Sequence, residues 1–350
     1  MNPATSPRID RGTMRLLHVD PHQRAYADRP IRELAVLLGS DDLLVVNDAA
    51  TLPASFRLPT VDAELRLVAH GQGSSFTAVL FGAGDYRTRT EDRPEPPRLE
   101  RGQRVLVAPD LAFEVVHVDA ASPRWIELCF DVRGAELWSA LYRHGRPIQY
   151  AHVRAPLEVW DVQNRFAARP WAFELPSAGQ PLDGELLLAL ARRGVRVASL
   201  THAASISSTG SATLDARLPV PERYDIPEAT VRAIESTRRR RGRVVAVGTT
   251  VVRALEACVA DRGALAHGEG VARLLLSARF RPRVVSGVLS GMHEPDTSHF
   301  ALLQAFADSP LLRRAIAAAE HAGYLQHEFG DALLILPPPH LPERFRLELR

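Results

Sequence analysis

The chain has 350 residues, of which 46% are hydrophobic and 24% charged, and its formal net charge is +2. These proportions are typical of a folded protein and exclude a disordered or fibrous one. So small a net charge also excludes the strongly basic class of nucleic-acid-binding proteins, which bind through a large positive field.

Several absences in the sequence narrow the chemistry and the location. All 43 residues counted as lysine or arginine are arginines, which excludes mechanisms that need an amine, such as a Schiff base or a phosphate-loop lysine. Cys129 and Cys258 lie far apart, so a disulfide framework and a cysteine-rich zinc site are excluded too. No stretch reaches about 18 apolar residues, and the N-terminus lacks the apolar core of a signal peptide. We therefore expect a cytoplasmic protein without a membrane anchor.

The first predicted elements belong to an α/β unit. Residues 31–48 have the pattern of a short amphipathic helix, a turn and a buried strand at 43–46, which ends at the polar pair Asn47 and Asp48. From about residue 58 to 148 the pattern changes to short runs rich in β-branched residues, separated by turns. This pattern predicts a small all-β module.

After about residue 183, helical and strand patterns alternate to the end of the chain. The alternation predicts a layered α/β domain with a largely parallel sheet. This domain begins before the all-β module and resumes after it. We place its first part at residues 1–57, the inserted module at 58–150 and the remainder at 151–350.

The strongest local signal is a strand that turns directly into a helix at Gly248. Glycine permits the tight turn, and the following amides, with the hydroxyls of Thr249 and Thr250, face the open N-terminus of the helix. Arg253 lies one turn further on. Carboxylates, phosphates and ribose oxygens bind at such places, beyond the carboxyl ends of strands. The alternative is that Thr249 only caps the helix.

A second cluster, residues 292–299, holds two histidines and two carboxylates between a strand and a helix. Pro295 interrupts any helix here, so His293 and His299 lack the helical spacing of metal ligands, and we predict no metal site. One of residues 296–298 is expected to cap the helix, while His293 faces a ligand cleft or packs in the core.

Two further segments each allow two interpretations. The small residues of 176–181 let the backbone approach a ligand closely, although an interdomain loop has the same composition. The arginine-rich segment 238–243 either contacts phosphates or forms a solvated helix end, where cations are favourable.

Taken in order, these segments resemble the S-adenosylmethionine:tRNA ribosyltransferase-isomerases of queuosine biosynthesis. The likeness spans about residues 31–336, and the order and spacing of its segments are specific. Its segments are 42–48, 53–54, 176–179, His202, 243–256, His293 with Pro295, and 329–335. The resemblance implies an α/β mixed-sheet domain with an inserted all-β, barrel-like domain.

The resemblance also implies a reaction and a set of site residues. In this family the ribosyl group of S-adenosylmethionine moves onto the 7-aminomethyl-7-deazaguanine base of a tRNA and is isomerised to epoxyqueuosine, with release of adenine and methionine. S-adenosylmethionine is then a co-substrate, tRNA the acceptor, no cofactor or metal is needed, and we expect a monomer. The implied catalytic residues are His202 and His293 for proton transfer and Asp331 to orient a partner. The implied substrate-binding residues are Asn47, Asp48, Ser177, Gly179, Gly248, Thr249, Thr250, Arg253, Pro295, Thr297 and Gly330.

Three segments differ from the family pattern, which makes this chain a divergent member. Pro181 stands where the family has a histidine, alanines follow His202 in place of glycines, and Asp296 replaces a lysine, which changes the local charge by two units. These differences favour two alternatives: a paralogue that uses an adenosyl compound with a non-tRNA acceptor, and a ligand-binding homologue without catalysis.

Overall fold

The computed structural model describes residues 1–295 and 297–338. The strands in this part of the chain are β1 (Asn2–Pro3), β2 (Arg15–Asp20), β3 (Ala25–Pro30), β4 (Leu43–Asn47), β5 (Ala49–Thr51), β6 (Ser55–Leu58), β7 (Ala63–His70), β8 (Ser75–Phe81), β9 (Arg104–Ala108), β10 (Leu111–Val118), β11 (Trp125–Phe130), β12 (Arg169–Ala172), β13 (Arg196–His202), β14 (Glu222–Ile226), β15 (Val244–Val247), β16 (Gly268–Ala272), β17 (Gly287–Gly291), β18 (Leu325–Gln326) and β19 (Ala332–Ile335).

The α-helices of the same part are α1 (Leu34–Leu37), α2 (Gly134–His144), α3 (Gly184–Arg192), α4 (Ala212–Asp215), α5 (Glu228–Arg239), α6 (Thr249–Arg262), α7 (Ser298–Leu303) and α8 (Ser309–His321). Local signals explain their ends. Asp183 and Asp308 accept hydrogen bonds from the first turns of α3 and α8, and Gly263 ends α6 in the left-handed conformation. Among the described helices, none combines the length and hydropathy that a membrane crossing requires.

The large sheet has nine strands in the order β16, β14, β13, β4, β15, β17, β19, β2, β3. Strands β13, β4, β15 and β17 run parallel, but the pairs β14–β16, β13–β14, β17–β19 and β2–β3 are antiparallel. The prediction of a largely parallel sheet is therefore wrong. Most of the antiparallel strands come from segments whose residue pattern assigned no element, and the family resemblance correctly implied a mixed sheet.

The central strands are apolar on both faces because helices cover both sides of the sheet. In β4, Leu43 and Val45 pack in a core with residues of α5, α6 and α8, whereas Leu44 and Val46 pack with residues of α1 and α3. Strands buried on both faces read as continuous apolar runs, as the sequence of β4 does. The polar residues that follow such strands are therefore brought to the edge of the sheet.

The insertion is a six-stranded antiparallel sheet in the order β6, β7, β8, β11, β10, β9. Its two edge strands, β6 and β9, contact each other, so the sheet curls into a nearly closed barrel. Phe56, Phe76 and Phe113 surround Phe130 with ring centroids 5.6–6.4 Å apart, and α2 packs onto the same core. The predicted barrel-like part is confirmed, while its boundaries at residues 58 and 150 stay a prediction.

Candidate functional site

The turn after β15 forms one wall of the candidate site. Gly248 has φ +101°, a conformation that favours glycine, and its N–H donates to the carbonyl oxygen of Leu289 at 2.7 Å. Gly248 is the N-cap of α6, and within the described chain no side chain caps this helix. Thr249 is therefore not a cap. The N–H groups of the first turn of α6 stay available to a ligand.

The predicted turn of small residues packs directly against Gly248. A Cβ on Gly248 would lie 3.3 Å from the Cβ of Ala178. Ser177–Gly179 form one 3₁₀ turn, in which Ser177 is half-buried and Gly179 buried. A Cβ on Gly179 would lie 3.1 Å from Nδ2 of Asn164, so this segment needs small residues for close packing.

Asn47 joins three elements at the same sheet edge. Its Oδ1 accepts from the N–H of His202 at 2.9 Å, and its Nδ2 donates to the carbonyl oxygen of His202 at 3.0 Å and to Oγ1 of Thr250 at 3.4 Å. Asp48 accepts from the hydroxyl of Thr201 at 2.6 Å. Asn47 thus connects β4, β13 and the start of α6, and Asp48 binds β13. The substrate contacts of both side chains stay a prediction.

His202 is the last residue of β13, and its side chain is buried beside Glu222. It is 0% exposed, and its Nε2 lies 3.4 Å from Oε2 of Glu222. Neither ring nitrogen has a hydrogen-bond partner within the described residues, and an unpaired buried polar group is unfavourable. Burial lowers the pKa of His202 to about 4. The positive charge of Arg253 also lowers this pKa, whereas the negative charge of Glu222 raises it. The ring is therefore neutral at neutral pH, and both of its nitrogens are buried without a hydrogen-bond partner among the described residues.

Arg253 is brought to the site, but its guanidinium is engaged within the protein. It forms a buried ion pair with Glu222 and donates to the carbonyl oxygens of Ala272 at 3.1 Å and Val220 at 3.3 Å. These contacts connect α6 to β14 and β16. Arg253 therefore holds Glu222 in the structure, and its contact with a substrate stays a prediction.

His293 lies beside the Gly248 turn, because β17 pairs in parallel with β15. Its Nε2 is 2.7 Å from Oγ of Ser290. Its ring stacks on that of His299, with centroids 4.7 Å apart and an interplanar angle of 16°. The two predicted turns, at Gly248 and at His293, therefore lie side by side.

The stacked rings of His293 and His299 lie near the buried Arg253–Glu222 ion pair. Burial lowers the pKa of His293 well below its usual value, and His299 and His327 lower it further. Burial also lowers the pKa of His299, with Glu222 opposing and Arg253 adding to the shift. His299 is thus close to both His293 and the ion pair, although Val251, Val252 and Met292 from the same two segments also pack in one apolar core.

Comparison with known proteins identifies the family of this arrangement. The model of the family described as queuosine biosynthesis protein matches residues 2–335. The chain belongs to the queuosine biosynthesis protein family.

Individual relatives of this family are similar over nearly their whole length. The S-adenosylmethionine:tRNA ribosyltransferase-isomerase of Thiobacillus denitrificans is 34% identical over 339 residues, which cover 95% of this chain and 93% of the relative. That of Gloeobacter violaceus is 33% identical, with 95% and 92% covered. The crystal structure of the S-adenosylmethionine tRNA ribosyltransferase of Thermotoga maritima superposes with a TM-score of 0.51 at 22% identity, covering 95% of this chain and 96% of that one. This last likeness shows a shared fold.

In this member of the queuosine biosynthesis protein family, Thr297, a predicted residue of the second cluster, stabilises the start of a helix. Thr297 caps α7: its Oγ1 accepts from the N–H of Phe300 at 3.2 Å and donates to the carbonyl oxygen of Glu294 at 2.8 Å. Its hydroxyl is therefore engaged in the cap, and the substrate contact of Thr297 stays a prediction. Pro295 is half-buried in the preceding turn, and Asp296 lies outside the described residues.

Asp331 and Gly330 stabilise the turn between β18 and β19. The buried carboxylate of Asp331 accepts from the guanidinium of Arg8 at 2.8 Å and from the N–H groups of Arg15 at 2.9 Å and Leu325 at 2.8 Å. These are its hydrogen-bond partners among the described residues, and the predicted role of orienting a catalytic partner stays a prediction. A Cβ on Gly330 would lie 2.5 Å from the carbonyl oxygen of Leu325, so close packing requires glycine.

The segment 238–243 behaves as a helix end. Arg238–Arg241 are exposed at the end of α5, and buried Arg243 binds Asp42 through Nη2 at 2.6 Å and Nε at 3.1 Å. This segment precedes β15, whereas Gly248 follows it. The arginines therefore lie at the amino end of the strand, away from the candidate site, which favours the interpretation as a solvated helix end.

Sequence reasoning missed Glu174. Burial raises its pKa to about 7. The hydroxyl of Tyr150 and the N–H of Ser207 donate hydrogen bonds to its Oε1, and these bonds act in the opposite direction. A carboxyl group with a pKa near 7 donates and accepts protons readily at neutral pH. No motif marks Glu174, because its partners come from distant segments; its nearness in sequence to Ser177 was the one available signal.

Proposed function

We propose that this protein transfers the ribosyl group of S-adenosylmethionine onto a 7-aminomethyl-7-deazaguanine base in tRNA and isomerises it to epoxyqueuosine. One observation carries the proposal. The Gly248 turn, His202 and His293 meet at one sheet edge, in a chain similar over 95% of its length to relatives named for this transferase and isomerase activity.

The first turn of α6 is the proposed binding place for the ribose or the methionine carboxylate. Its free N–H groups and the positive end of the helix dipole attract oxygen ligands. Gly248 lets a ligand approach the backbone, and Thr250 is held in place by Asn47. Thr249 and Thr250 therefore stay in the proposed substrate site, together with Ser177.

The proton steps are assigned by the protonation states of the site. Departing adenine leaves more readily when it receives a proton, and Glu174, with a pKa of about 7, is the proposed acid. His202 and His293 have lowered pKa values and are neutral. A neutral imidazole has a free lone pair for a proton from the acidic carbons beside the sulfonium, but the lowered pKa values make these two histidines weaker bases than a free imidazole.

The acceptor tRNA is a polyanion, and an arginine-lined cleft of about 900 Å³ supports its binding. The cleft is lined by Arg8, Arg11, Arg32 and Arg165 and by the carboxylates of Asp10, Asp183 and Glu185, and it reaches Asn164, which touches the Gly179 turn. Arg32 pairs with Asp183 and Glu185. Burial and the charge of Arg165 lower the pKa of Arg11, whereas Asp183 raises it, so the positive charge is concentrated at Arg11 and Arg165. We place tRNA phosphates in this cleft.

A second candidate is favoured by the side chains that differ from the family pattern. Pro181 cannot transfer a proton as the family histidine can, and Asp296 brings negative charge where the family has a cation. These differences fit an adenosyl compound with a non-tRNA acceptor. In either case we propose a cytoplasmic monomer with S-adenosylmethionine as co-substrate and no cofactor for the reaction.

The test is a turnover assay with labelled S-adenosylmethionine, with and without precursor-bearing tRNA. We expect adenine release and label in the tRNA, both dependent on tRNA. Release without tRNA would support the non-tRNA acceptor, and binding without any turnover would show a non-catalytic homologue. Thr249→Val and His293→Ala should each abolish turnover in folded protein, whereas Glu136→Gln, on the exposed face of α2, should not.

A further inference from the structure

Three potential metal ligands meet outside the predicted motifs: His152, His327 and Glu328. One ligand atom from each lies within 4.8 Å of the other two. Nε2 of His152 is 2.7 Å from Oε2 of Glu328, and the rings of His152 and His327 stack with centroids 4.4 Å apart. Small side-chain rotations would bring all three atoms to about 2.0–2.2 Å from a common point, the distance of zinc ligands.

The backbone presents the two consecutive ligands on one side. His327 has φ +68°, in the left-handed region that few non-glycine residues adopt. In an extended chain, neighbouring side chains point to opposite faces, whereas this turn between β18 and β19 directs His327 and Glu328 towards His152. Such a conformation is unfavourable and recurs at functional sites.

We propose that His152, His327 and Glu328 bind one divalent transition-metal ion, with Zn²⁺ as the best fit. Two imidazoles and one carboxylate suit zinc better than magnesium or calcium, which prefer oxygen ligands. Three protein ligands leave a fourth position for water.

The ion would tie together two distant parts of the chain. His152 follows α2, behind the barrel, whereas the other two ligands lie 175 and 176 positions later in the turn before β19. Glu328 also lines a cavity of about 20 Å³ with Tyr150 and Glu174. The proposed metal site therefore borders the small cavity that Glu174 also lines, and the proposal stands independently of ribosyl transfer.

The test measures metal uptake directly. Full-length protein without a histidine tag is stripped with a chelator and titrated with Zn²⁺ by calorimetry and with Co²⁺ by visible absorption. We expect one equivalent per chain, the d–d bands of tetrahedral cobalt, and a melting temperature raised by Zn²⁺. No stoichiometric uptake of either ion would overturn the proposal and leave an ordinary His152–Glu328 ion pair.

Matched variants locate the ion. His327→Asn keeps a residue that tolerates the left-handed backbone but removes the imidazole, so it should fold and bind Zn²⁺ more than about 100-fold more weakly, since even outer-shell changes weaken metal binding about 10–100-fold. His152→Ala and Glu328→Gln should do the same. His321→Ala, at the exposed end of α8, should bind as the wild type does. Unchanged affinity in His327→Asn would refute the assigned ligands.

Discussion

The raised pKa of Glu174 predicts a specific pH dependence of stability that Glu174→Gln should remove. Burial raises this pKa from 4.5 to about 7, a difference of about 2.5 units or about 3 kcal/mol. Because the folded state binds the proton more tightly than the unfolded state, this contribution is fully present below pH 4.5 and is lost as the pH rises through 7. Glutamine keeps the Oε1 that accepts from Tyr150 and Ser207 but does not ionise.

The assay is urea unfolding of the wild type and Glu174→Gln at pH 5 and pH 8. The loss of unfolding free energy between these pH values should be about 2–3 kcal/mol larger in the wild type, since all other titrating groups are common to both proteins. Glu136→Gln, at an exposed position, serves as the control and should follow the wild type. Parallel curves for the wild type and Glu174→Gln would show that Glu174 titrates normally, and it would then be rejected as the acid.

Three other predictions test the contacts that Thr297, Arg253 and the arginine-rich segment 238–243 make in the structure. Thr297→Val should destabilise the protein by about 1 kcal/mol in chemical unfolding through loss of the α7 cap, with turnover intact; lost turnover at unchanged stability would restore the substrate contact. Arg253→Ala leaves Glu222 buried without its partner and should reduce stability by about 3–5 kcal/mol; a loss below about 1 kcal/mol would mean that the pair is hydrated. Alanine at 238, 239 and 241 together should leave tRNA affinity and its salt dependence unchanged, whereas each true phosphate contact would lower the salt slope by about one.

Local patterns were enough to predict the elements that carry the site. The turn at Gly248 follows from a buried apolar run, a glycine and a helical pattern within a few consecutive residues, and the structure has β15 and α6 there. The polar end of β4 at Asn47 was predicted in the same way. Such features depend on interactions between near neighbours in the chain, which residue order alone specifies.

The partners of the predicted side chains were not readable in this way. Arg253 and Thr297 have side chains of types that often bind ligands. In the structure, however, Arg253 forms an ion pair with Glu222, and Thr297 caps its own helix. Which of a side chain's donors are already engaged depends on what folding brings against it. Residue type therefore identifies candidates for substrate contacts, and the structure shows which of their donors already have partners within the protein.

The sequence by itself indicated the family, the presence of a barrel-like part and the strand-to-helix turn at Gly248, because each is encoded by contiguous residues in a characteristic order. Only the tertiary structure decided which groups are charged, free or paired. The pKa of Glu174 depends on burial beside Tyr150 and Ser207, and the ligands around His152 lie up to 176 positions away. Desolvation and charge interactions act over distances in space, so they exist only once the chain has folded.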